Sequence, residues 1–510
     1  MSQARAIMVL GTGSHVGKSL LTAALCRIFA QKRYRVAPFK SQNMSLNSAA
    51  TFEGLEIGRA QALQAEAAGV APSVHMNPVL IKPSGDCSSQ VVVRGKIWGQ
   101  VSAADYHQRR VEELLPMVRE SYQTLASNFG VIVLEGAGSP AEINLKRHDI
   151  ANMRMAELAD AQCVLVGDID RGGVFASLLG TFSLLDPEER DRVRGFCINK
   201  FRGDRSLLEP GVRMMEARLE KPCLGVVPYL PNLVLDEEDS VGFPSLARAG
   251  WPAAANRPDR ALRIAVVALP SFSNFTDFDS LRAESSVDLL FCRSPELLAH
   301  ADVVILPGSK QTMSDRRWLS IHGFDGAIRQ HAQAGLVIGI CGGMQMLGQE
   351  IDDPEGVEQP GRMEGLGLLP ITTSMDSQKV TCLRTGSVRD RALFGHTLQD
   401  GRVAGYEIHV GRTSYLDSAE PFATLDNGEP DGCVSADRCV FGTYLHGIFD
   451  EDGFRHQFLS IARSHCGLVA PASLAPWKAQ REESLDRLAR EVSAALDMRS
   501  IFAWVGLRYE

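Results

Sequence analysis

The chain has 510 residues, which exceeds what one hydrophobic core usually supports, so two or more domains are expected. Its 45% hydrophobic and 22% charged residues exclude a disordered or collagen-like protein. The formal charge of -8 provides no basic footprint for nucleic acid, and no apolar run is long enough to cross a bilayer. Because the N-terminus also lacks the features of a signal peptide, we expect a cytoplasmic protein with no membrane or nucleic-acid partner.

The order of predicted elements indicates an α/β protein with two sheets. Apolar runs alternate with helical stretches such as 19–31 and 105–126 through the first half of the chain, and a similar series follows in the second half. The predicted strands lie at 6–10, 131–134, 163–166, 195–198, 262–269, 303–306 and 336–340. We therefore predict two doubly wound, mainly parallel-sheet domains.

Composition sets the predicted domain boundaries. Acidic residues, prolines and small residues dominate the stretch before residue 261, which is typical of a linker. The resulting division is a first domain at 1–231, a linker at 232–261, a second domain at 262–454 and a helical C-terminal segment at 455–510. In that segment Leu485, Leu488, Val492 and Leu496 are spaced to lie on one face of a helix, which predicts a packing role.

A glycine-rich sequence, GTGSHVGKS at 11–19, directly follows the first strand and begins a helix. In that context backbone N–H groups and the helix N-terminus bind phosphate, a lysine neutralises the terminal phosphates and a serine hydroxyl binds Mg²⁺. The predicted ATP-binding residues are Gly11, Thr12, Gly13, Gly17, Lys18 and Ser19, and Ser19 is also a predicted metal ligand. Thr12 occupies the position of the first glycine in the usual motif, a variant that resembles the dethiobiotin-synthetase-like branch of P-loop proteins.

Three later segments also follow predicted strands, where parallel sheets bind ligands. Glu135 is predicted to bind Mg²⁺ directly or through water, with a turn-capping role as the alternative. The segment 168–173 is compatible with a metal, phosphate or acceptor-substrate site or with a polar turn. Asn199 and Lys200 resemble the start of the guanine-reading N-K-x-D motif, but the aspartate position is Arg202. The bound nucleotide is therefore predicted to be ATP rather than GTP, with Asn199 as a contact.

The second half contains the elements of a glutaminase. Cys341 lies between an apolar strand and a helix start with glycines beside it, which is the setting of a nucleophile on a tight turn. The N–H of Gly342 is a predicted oxyanion donor, and the turn that contains Gly308 is a candidate for the second donor. A thiolate needs a base, and His446 follows a later short strand, so folding must bring the two together. Singly, each would more often be an inert buried residue.

These segments resemble a known family. LPGSK at 306–310, GICGG at 339–343, GYEIH at 405–409 and YLHG at 444–447 are similar to class I glutamine amidotransferase domains of the cobyrinate-amidating type. The first half resembles the synthetase domain of the same enzymes through 41–47, 76–83 and 168–177. Most class I members have a glutamate two residues after the catalytic histidine, whereas this chain has Ile448.

The resemblance implies a reaction that neither composition nor spacing defines. It implies amidation of the b, d, e and g carboxylates of adenosylcobyrinic acid a,c-diamide, with glutamine as nitrogen donor and ATP and Mg²⁺ as cofactors. The expected partners are the corrinoid acid, ATP and glutamine, and a homo-oligomer is compatible with the sequence. Two alternatives are a sibling amidotransferase on another acid, which 41–47 and 76–83 disfavour, and a partitioning-type ATPase with a noncatalytic second domain.

Overall fold

The computed structural model describes residues 4–83, 88–102, 105–106, 111–236, 251, 261–471 and 473–509. The chain forms two compact units. The first, here the nucleotide unit, contains Met1–Ser45, Glu56–Glu238 and Arg481–Glu510, and the second, here the glutaminase unit, contains Leu46–Leu55 and Asp239–Gln480. Most of the linker predicted at 232–261 lies outside the described residues.

Elements before residue 236 alternate as the apolar runs predict. The strands are β1 (Arg5–Gly11), β2 (Val36–Phe39), β3 (Gln42–Met44), β4 (Ser48–Ala50), β5 (Glu56–Gly58), β6 (Val79–Pro83), β7 (Ser88–Val93), β8 (Lys96–Ser102), β9 (Val131–Glu135), β10 (Gln162–Asp168), β11 (Val193–Phe201) and β12 (Cys223–Pro228). The α-helices are α1 (Lys18–Gln31), α2 (Arg59–Ala68), α3 (Val111–Asn128), α4 (Met153–Leu158), α5 (Val174–Ser183), α6 (Pro187–Arg192) and α7 (Arg205–Leu219).

The main sheet of the nucleotide unit is parallel and has the order β12-β11-β10-β1-β9-β2. Its register pairs Gly11 with Val166 and Val9 with Glu135, so the segments that follow these strands meet at one edge. A second sheet in this unit has the order β3-β6-β7-β8. The predicted strands at 6–10, 131–134, 163–166 and 195–198 are confirmed, and they form the centre of the main sheet.

The later part of the chain has its own set of elements. The strands are β13 (Leu262–Val267), β14 (Val287–Cys292), β15 (Val303–Leu306), β16 (Leu336–Ile340), β17 (Glu350–Asp353), β18 (Gly361–Glu364), β19 (Ile371–Val388), β20 (Ala392–Leu393), β21 (His396–Thr397), β22 (Arg402–Tyr415), β23 (Ala423–Leu425), β24 (Pro430–Asp431), β25 (Cys433–Val434) and β26 (Val440–Thr443). The α-helices are α8 (Asp279–Arg282), α9 (Thr312–Ile321), α10 (Phe324–His331), α11 (Gly342–Leu347), α12 (Asp452–His465), α13 (Trp477–Ala495) and α14 (Met498–Trp504).

The main sheet of the glutaminase unit has the order β14-β13-β15-β16-β26-β25 and is parallel except at β25. The carboxyl ends of β13, β15, β16 and β26 therefore share one edge, where parallel sheets bind ligands. An additional sheet contains the long antiparallel pair β19 and β22. The predicted fold class, two α/β domains with mainly parallel sheets and a helical C-terminal region, is confirmed.

The C-terminal helices pack as the spacing predicts. Leu485, Leu488, Val492 and Leu496 are buried in the apolar core of the nucleotide unit. Within the described part of the chain, every helix is too short or too polar to cross a membrane.

Candidate active sites

The phosphate loop connects β1 to α1 and is shaped by its glycines. Gly17 caps α1 with a φ of 96°, a backbone conformation that residues other than glycine rarely adopt. A Cβ at this position would lie 2.2 Å from Asn199 Nδ2. The Asn199 side-chain amide donates to Val16 O at 2.9 Å, so a residue of β11 holds the loop in place.

Lys18 extends along this loop rather than into solvent, with 6% of its surface exposed. Its Nζ donates to Gly13 O at 2.8 Å and to Gly138 O at 3.0 Å. A Cβ on Gly11 would lie 2.9 Å from Lys18 Cδ, so a glycine there allows the lysine stem to pass. The ammonium group is thus held at the sheet edge, beside the backbone that would surround phosphates.

Glu135 is the centre of a buried polar cluster at the end of β9. Ser19 Oγ donates to Glu135 Oε1 at 2.8 Å, and Lys40 Nζ lies 2.9 Å from the same oxygen. Gln64 Nε2 donates to the other carboxylate oxygen at 2.6 Å. A hydroxyl and a carboxylate oxygen side by side suit Mg²⁺, which usually takes one or two carboxylates and completes its shell with water and substrate phosphates.

Asp168 and Lys200 form an ion pair next to the loop. Lys200 Nζ lies 2.9 Å from Asp168 Oδ2 and also donates to His15 O at 2.6 Å. The second oxygen of Asp168 accepts from Asp170 N at 2.9 Å. Among the roles left open for the segment 168–173, these contacts favour a turn that braces the phosphate loop.

In the glutaminase unit, Cys341 has a strained backbone between β16 and α11. Its φ of 52° and ψ of -112° are rarely adopted by residues other than glycine, and such strain is concentrated at functional sites. Its N–H donates to Thr443 O at 2.8 Å, which fixes the turn to the end of β26. The thiol is buried, and Sγ lies 3.7 Å from Ile408 O.

His446 is also buried, and the Cys341 sulfur is close enough to raise the pKa of its imidazole. Backbone hydrogen bonds of 3.0 and 2.9 Å join it to Tyr406, whose ring stacks on the imidazole with centroids 5.3 Å apart. The two residues that the sequence predicts as nucleophile and base are therefore adjacent in the structure.

The orientation of His446 comes from Asp277, a residue that the sequence analysis missed. His446 Nδ1 donates to Asp277 Oδ2 at 2.6 Å, and the other carboxylate oxygen accepts from Gly447 N at 3.0 Å. Burial lowers the pKa of His446, but the Asp277 carboxylate and the Cys341 sulfur together raise it to about 10. Both partners of the contact are almost fully buried, so solvent screens it little.

The two glycines that the sequence predicts as oxyanion donors lie beside Cys341 and His446. A Cβ on Gly308 would come within 2.8 Å of His446 Cε1, and Gly308 O accepts from Ser273 N at 3.0 Å. A Cβ on Gly342 would lie 3.0 Å from Ser309 N, so these two backbone segments approach closely. As the first residue of α11, Gly342 has an N–H without an intrahelical acceptor.

Comparison with known proteins agrees with this arrangement. A model described as CobQ/CobB/MinD/ParA nucleotide binding domain matches residues 7–241, and a model described as CobB/CobQ-like glutamine amidotransferase domain matches residues 263–454. The cobyric acid synthase of Moorella thermoacetica is 48% identical over 99% of this chain and 98% of its own length. Those of Sorangium cellulosum and Clostridium acetobutylicum are 49% and 46% identical over 98% of this chain and 98% and 99% of their own lengths.

Fold and matches together define the class: an ATP-dependent amidating ligase in which a P-loop nucleotide-binding domain is joined to a glutamine amidotransferase domain. Within that class the identity extends over nearly the whole chain. The protein belongs to the cobyric acid synthase family.

Proposed function

We propose that the glutaminase unit releases ammonia from glutamine through Cys341, His446 and Asp277. The Cys341 sulfur attacks the carboxamide carbon, the N–H of Gly342 and the turn at Gly308 stabilise the oxyanion, and His446 gives a proton to the departing ammonia. Water then hydrolyses the glutamyl thioester and restores the thiol. Asp277 keeps the imidazole oriented and charged, the role that a glutamate two residues after the histidine has in most class I members.

In the nucleotide unit, the proposed chemistry activates the acceptor acid. A substrate carboxylate oxygen attacks the γ-phosphorus of ATP, the bond to ADP breaks, and an acyl phosphate forms. Ammonia then attacks the acyl carbon and expels inorganic phosphate, which yields the carboxamide. Gly11, Thr12, Gly13, Gly17 and Asn199 shape the phosphate site, and Lys18 neutralises the transferring group.

Ser19 and Glu135 are the residues that would hold Mg²⁺, because their oxygens lie 2.8 Å apart at the loop. When bound there, the ion would neutralise phosphate charge. The ammonium of Lys40, 2.9 Å from Glu135, compensates the charge of this buried carboxylate.

The substrates follow from the family. Its reaction is ATP- and glutamine-dependent amidation in cobalamin biosynthesis, and we assign to this protein the b, d, e and g carboxylates of adenosylcobyrinic acid a,c-diamide. We place the reaction in the cytoplasm. All the described cysteines are free thiols, in keeping with a reducing compartment.

The observation that carries this proposal is the buried arrangement in which Asp277 bonds to His446 at 2.6 Å and the Cys341 sulfur acts on the same imidazole. Its test compares two nitrogen sources by mass spectrometry of the corrinoid product. Cys341→Ala should abolish amidation from glutamine and retain it from ammonium chloride. Lys18→Ala should abolish both.

Two outcomes would contradict the assignment of glutamine hydrolysis to one unit and of acid activation to the other. One is loss of both activities in a folded Cys341→Ala protein, and the other is ammonia-dependent amidation that survives Lys18→Ala. Release of glutamate by the wild type also separates the enzyme from an ATPase with a noncatalytic second domain, which would release none.

A further inference from the structure

A cavity of about 320 Å³ lies beside the phosphate loop in the nucleotide unit. Ser14 of the loop lines it, and so does Gly138, whose carbonyl oxygen accepts from Lys18 Nζ at 3.0 Å. The cavity is at the small end of the ~300–1,000 Å³ range of ligand sites, so it fits a side chain and the adjoining edge of a macrocycle rather than a whole corrinoid.

The lining of this cavity is apolar on one side, and on its polar side neutral groups outnumber charged ones. Met44, Ile81 and Val101 supply an apolar wall. The neutral hydrogen-bonding groups are those of Ser14, Gln42, Ser89, Ser102, Ser139 and Asn152. Asn152 is 5% exposed, and its Oδ1 has no hydrogen-bond partner among the described residues.

The charged side chains of the lining are those of Glu142, Lys146 and Asp149; Glu142 is exposed, and the other two are engaged with the protein. Lys146 Nζ contacts Asp186 at 2.6 Å and Glu189 at 2.7 Å. Asp149 Oδ1 accepts from the backbone N–H groups of Ala151 and Asn152 at 2.7 and 3.1 Å. Recognition inside the cavity therefore rests on hydroxyl and amide groups.

We infer that this cavity binds the reacting edge of the corrinoid acid and accepts its side chains both as carboxylates and as carboxamides. Hydroxyl and primary amide groups both donate and accept, so they pair with a carboxylate, which only accepts, and with a carboxamide, which does both. A fixed cationic clamp would favour carboxylates and weaken binding after each amidation. This inference rests on the proposed function, in which ATP phosphorylates the acid beside Lys18, next to the cavity.

The test adds one negative charge to the lining without changing its shape. Gln42→Glu keeps the acceptor for the Tyr106 hydroxyl, which donates to Gln42 Oε1 at 2.7 Å. A like charge within a few ångströms of a substrate carboxylate should raise the KM for the corrinoid acid about tenfold or more. Partly amidated corrinoids should then accumulate in mass spectra, while the KM for ATP and the rate of glutamine hydrolysis stay unchanged.

Two comparisons isolate the effect of charge. Gln123→Glu makes the same change on the exposed surface of α3 and should behave as wild type. Ser89→Asp and Ser89→Asn are isosteric, so the ratio of their KM values reports charge alone. Equal KM values in this pair, or a wild-type KM in Gln42→Glu, would overturn the inference. A wild-type enzyme that amidates no corrinoid acid would instead contradict the proposed function.

An independent observation concerns residues 46–55, which belong to the glutaminase unit although the chain on both sides belongs to the nucleotide unit. Ser48 N donates to Asn274 Oδ1 at 2.9 Å, and Ala50 forms a buried apolar cluster with Tyr406 and Ile408. All three contacted residues adjoin the proposed catalytic pair.

Each of these contacted residues holds one member of the pair in place. Asn274 Nδ2 lies 3.4 Å from both ring nitrogens of His446, and the Tyr406 ring stacks on the same imidazole. Ile408 O is the acceptor next to Cys341 Sγ. We propose that Ser48 and Ala50 are positioning residues for glutamine hydrolysis.

Ala50→Leu tests this role, because its added volume would displace Tyr406 and Ile408. A shift of ~1 Å in a catalytic group costs about 100-fold in rate, so kcat for glutamine hydrolysis should fall by about that factor with a smaller change in KM. The alkaline limb of the pH profile should also move, since the environment of His446 changes. Amidation from ammonia should be retained.

Matched variants complete the experiment. Ala334→Leu adds the same volume at an exposed position of the glutaminase unit and should have wild-type kinetics. Ser48→Pro removes the N–H that Asn274 accepts, whereas Ser48→Ala keeps it. The proposal is overturned by a wild-type kcat and pH profile in Ala50→Leu and Ser48→Pro, or by parallel loss of glutamine- and ammonia-dependent amidation in both.

Discussion

Replacing Asp277 with asparagine removes one negative charge from the buried contact with His446 and keeps the size of the side chain. Asparagine can still accept from Gly447 N through one oxygen, as Asp277 does at 3.0 Å. It presents an amide nitrogen or a neutral oxygen to His446 Nδ1, where the carboxylate now accepts at 2.6 Å. The variant therefore tests charge and tautomer with little loss of packing.

The size of the effect follows from the geometry. Charges delocalised over an imidazolium and a carboxylate in contact are ~4 Å apart, and at an effective dielectric constant of ~20 they attract by about 4 kcal/mol. That energy equals about three pKa units or a factor of about 10³ in rate. It accounts for most of the rise in the pKa of His446 from 6.5 to about 10. Asp277→Asn should lower the pKa of His446 by about three units, because only the Cys341 sulfur then opposes the effect of burial.

The assay is glutamate release as a function of pH. Because His446 must carry a proton to give to ammonia, the alkaline limb of kcat/KM should lie near the pKa of about 10 in the wild type. In Asp277→Asn this limb should move about three units toward acid, and kcat/KM at pH 8 should fall about tenfold, because only about one imidazole in ten is then protonated. Amidation from ammonia should be unaffected.

Asp279→Asn is the matched control, because Asp279 lies two residues away and pairs with Arg282, whose side chain is 37% exposed. Such partly exposed pairs contribute about 0–1 kcal/mol, so this variant should retain the wild-type pH profile. An unshifted alkaline limb in Asp277→Asn would refute the role of Asp277 in orienting and charging His446.

Three further outcomes are expected. In Gly308→Ala the new Cβ would lie 2.8 Å from His446 Cε1, so glutamine hydrolysis should fall at least about 100-fold while ammonia-dependent amidation is retained. Gly326→Ala is its control, because open space surrounds that Cβ and activity should not change. Arg455→Met leaves the buried Glu284 unpaired and should lower the free energy of unfolding of the glutaminase unit by about 3–5 kcal/mol in urea titrations. Chelation by EDTA should stop ammonia-dependent amidation while glutamate release continues, as parallel assays would show.

Local sequence was enough to predict the elements that carry most of the site. The strand, loop and helix around Lys18 and the strand-to-helix turn at Cys341 are set by short-range preferences of glycine and apolar residues, and the structure has both. From the sequence, the pairing of Cys341 with His446 rested only on the need of a thiolate for a base. The structure supplies the reason for their adjacency, because the strands that precede them are parallel neighbours with carboxyl ends at one edge.

Local sequence patterns do not predict the polar side chains that support Glu135 and His446. Lys40, just after β2, and Gln64, on α2, reach Glu135 through side-chain contacts that no periodicity encodes. Asp277 is 169 residues from His446 in the chain, so no local spacing links them. One signal was present, since the segment with Asp277 follows β13, whose carboxyl end lies at the same edge as those of β16 and β26.

The same topology explains how Ile448 can replace the usual glutamate. A catalytic imidazole requires only that its Nδ1–H meets an acceptor of fixed position, and the source of that acceptor in the chain is irrelevant. Ile448 is fully buried in the apolar core, where a glutamate would be costly to desolvate and would face the negative charge of Asp277. Asp277 bonds to His446 and to Gly447 at once, so one carboxylate fixes both the ring and the backbone that carries it. An acid on the β13 side thus fulfils the requirement and leaves position 448 to core packing.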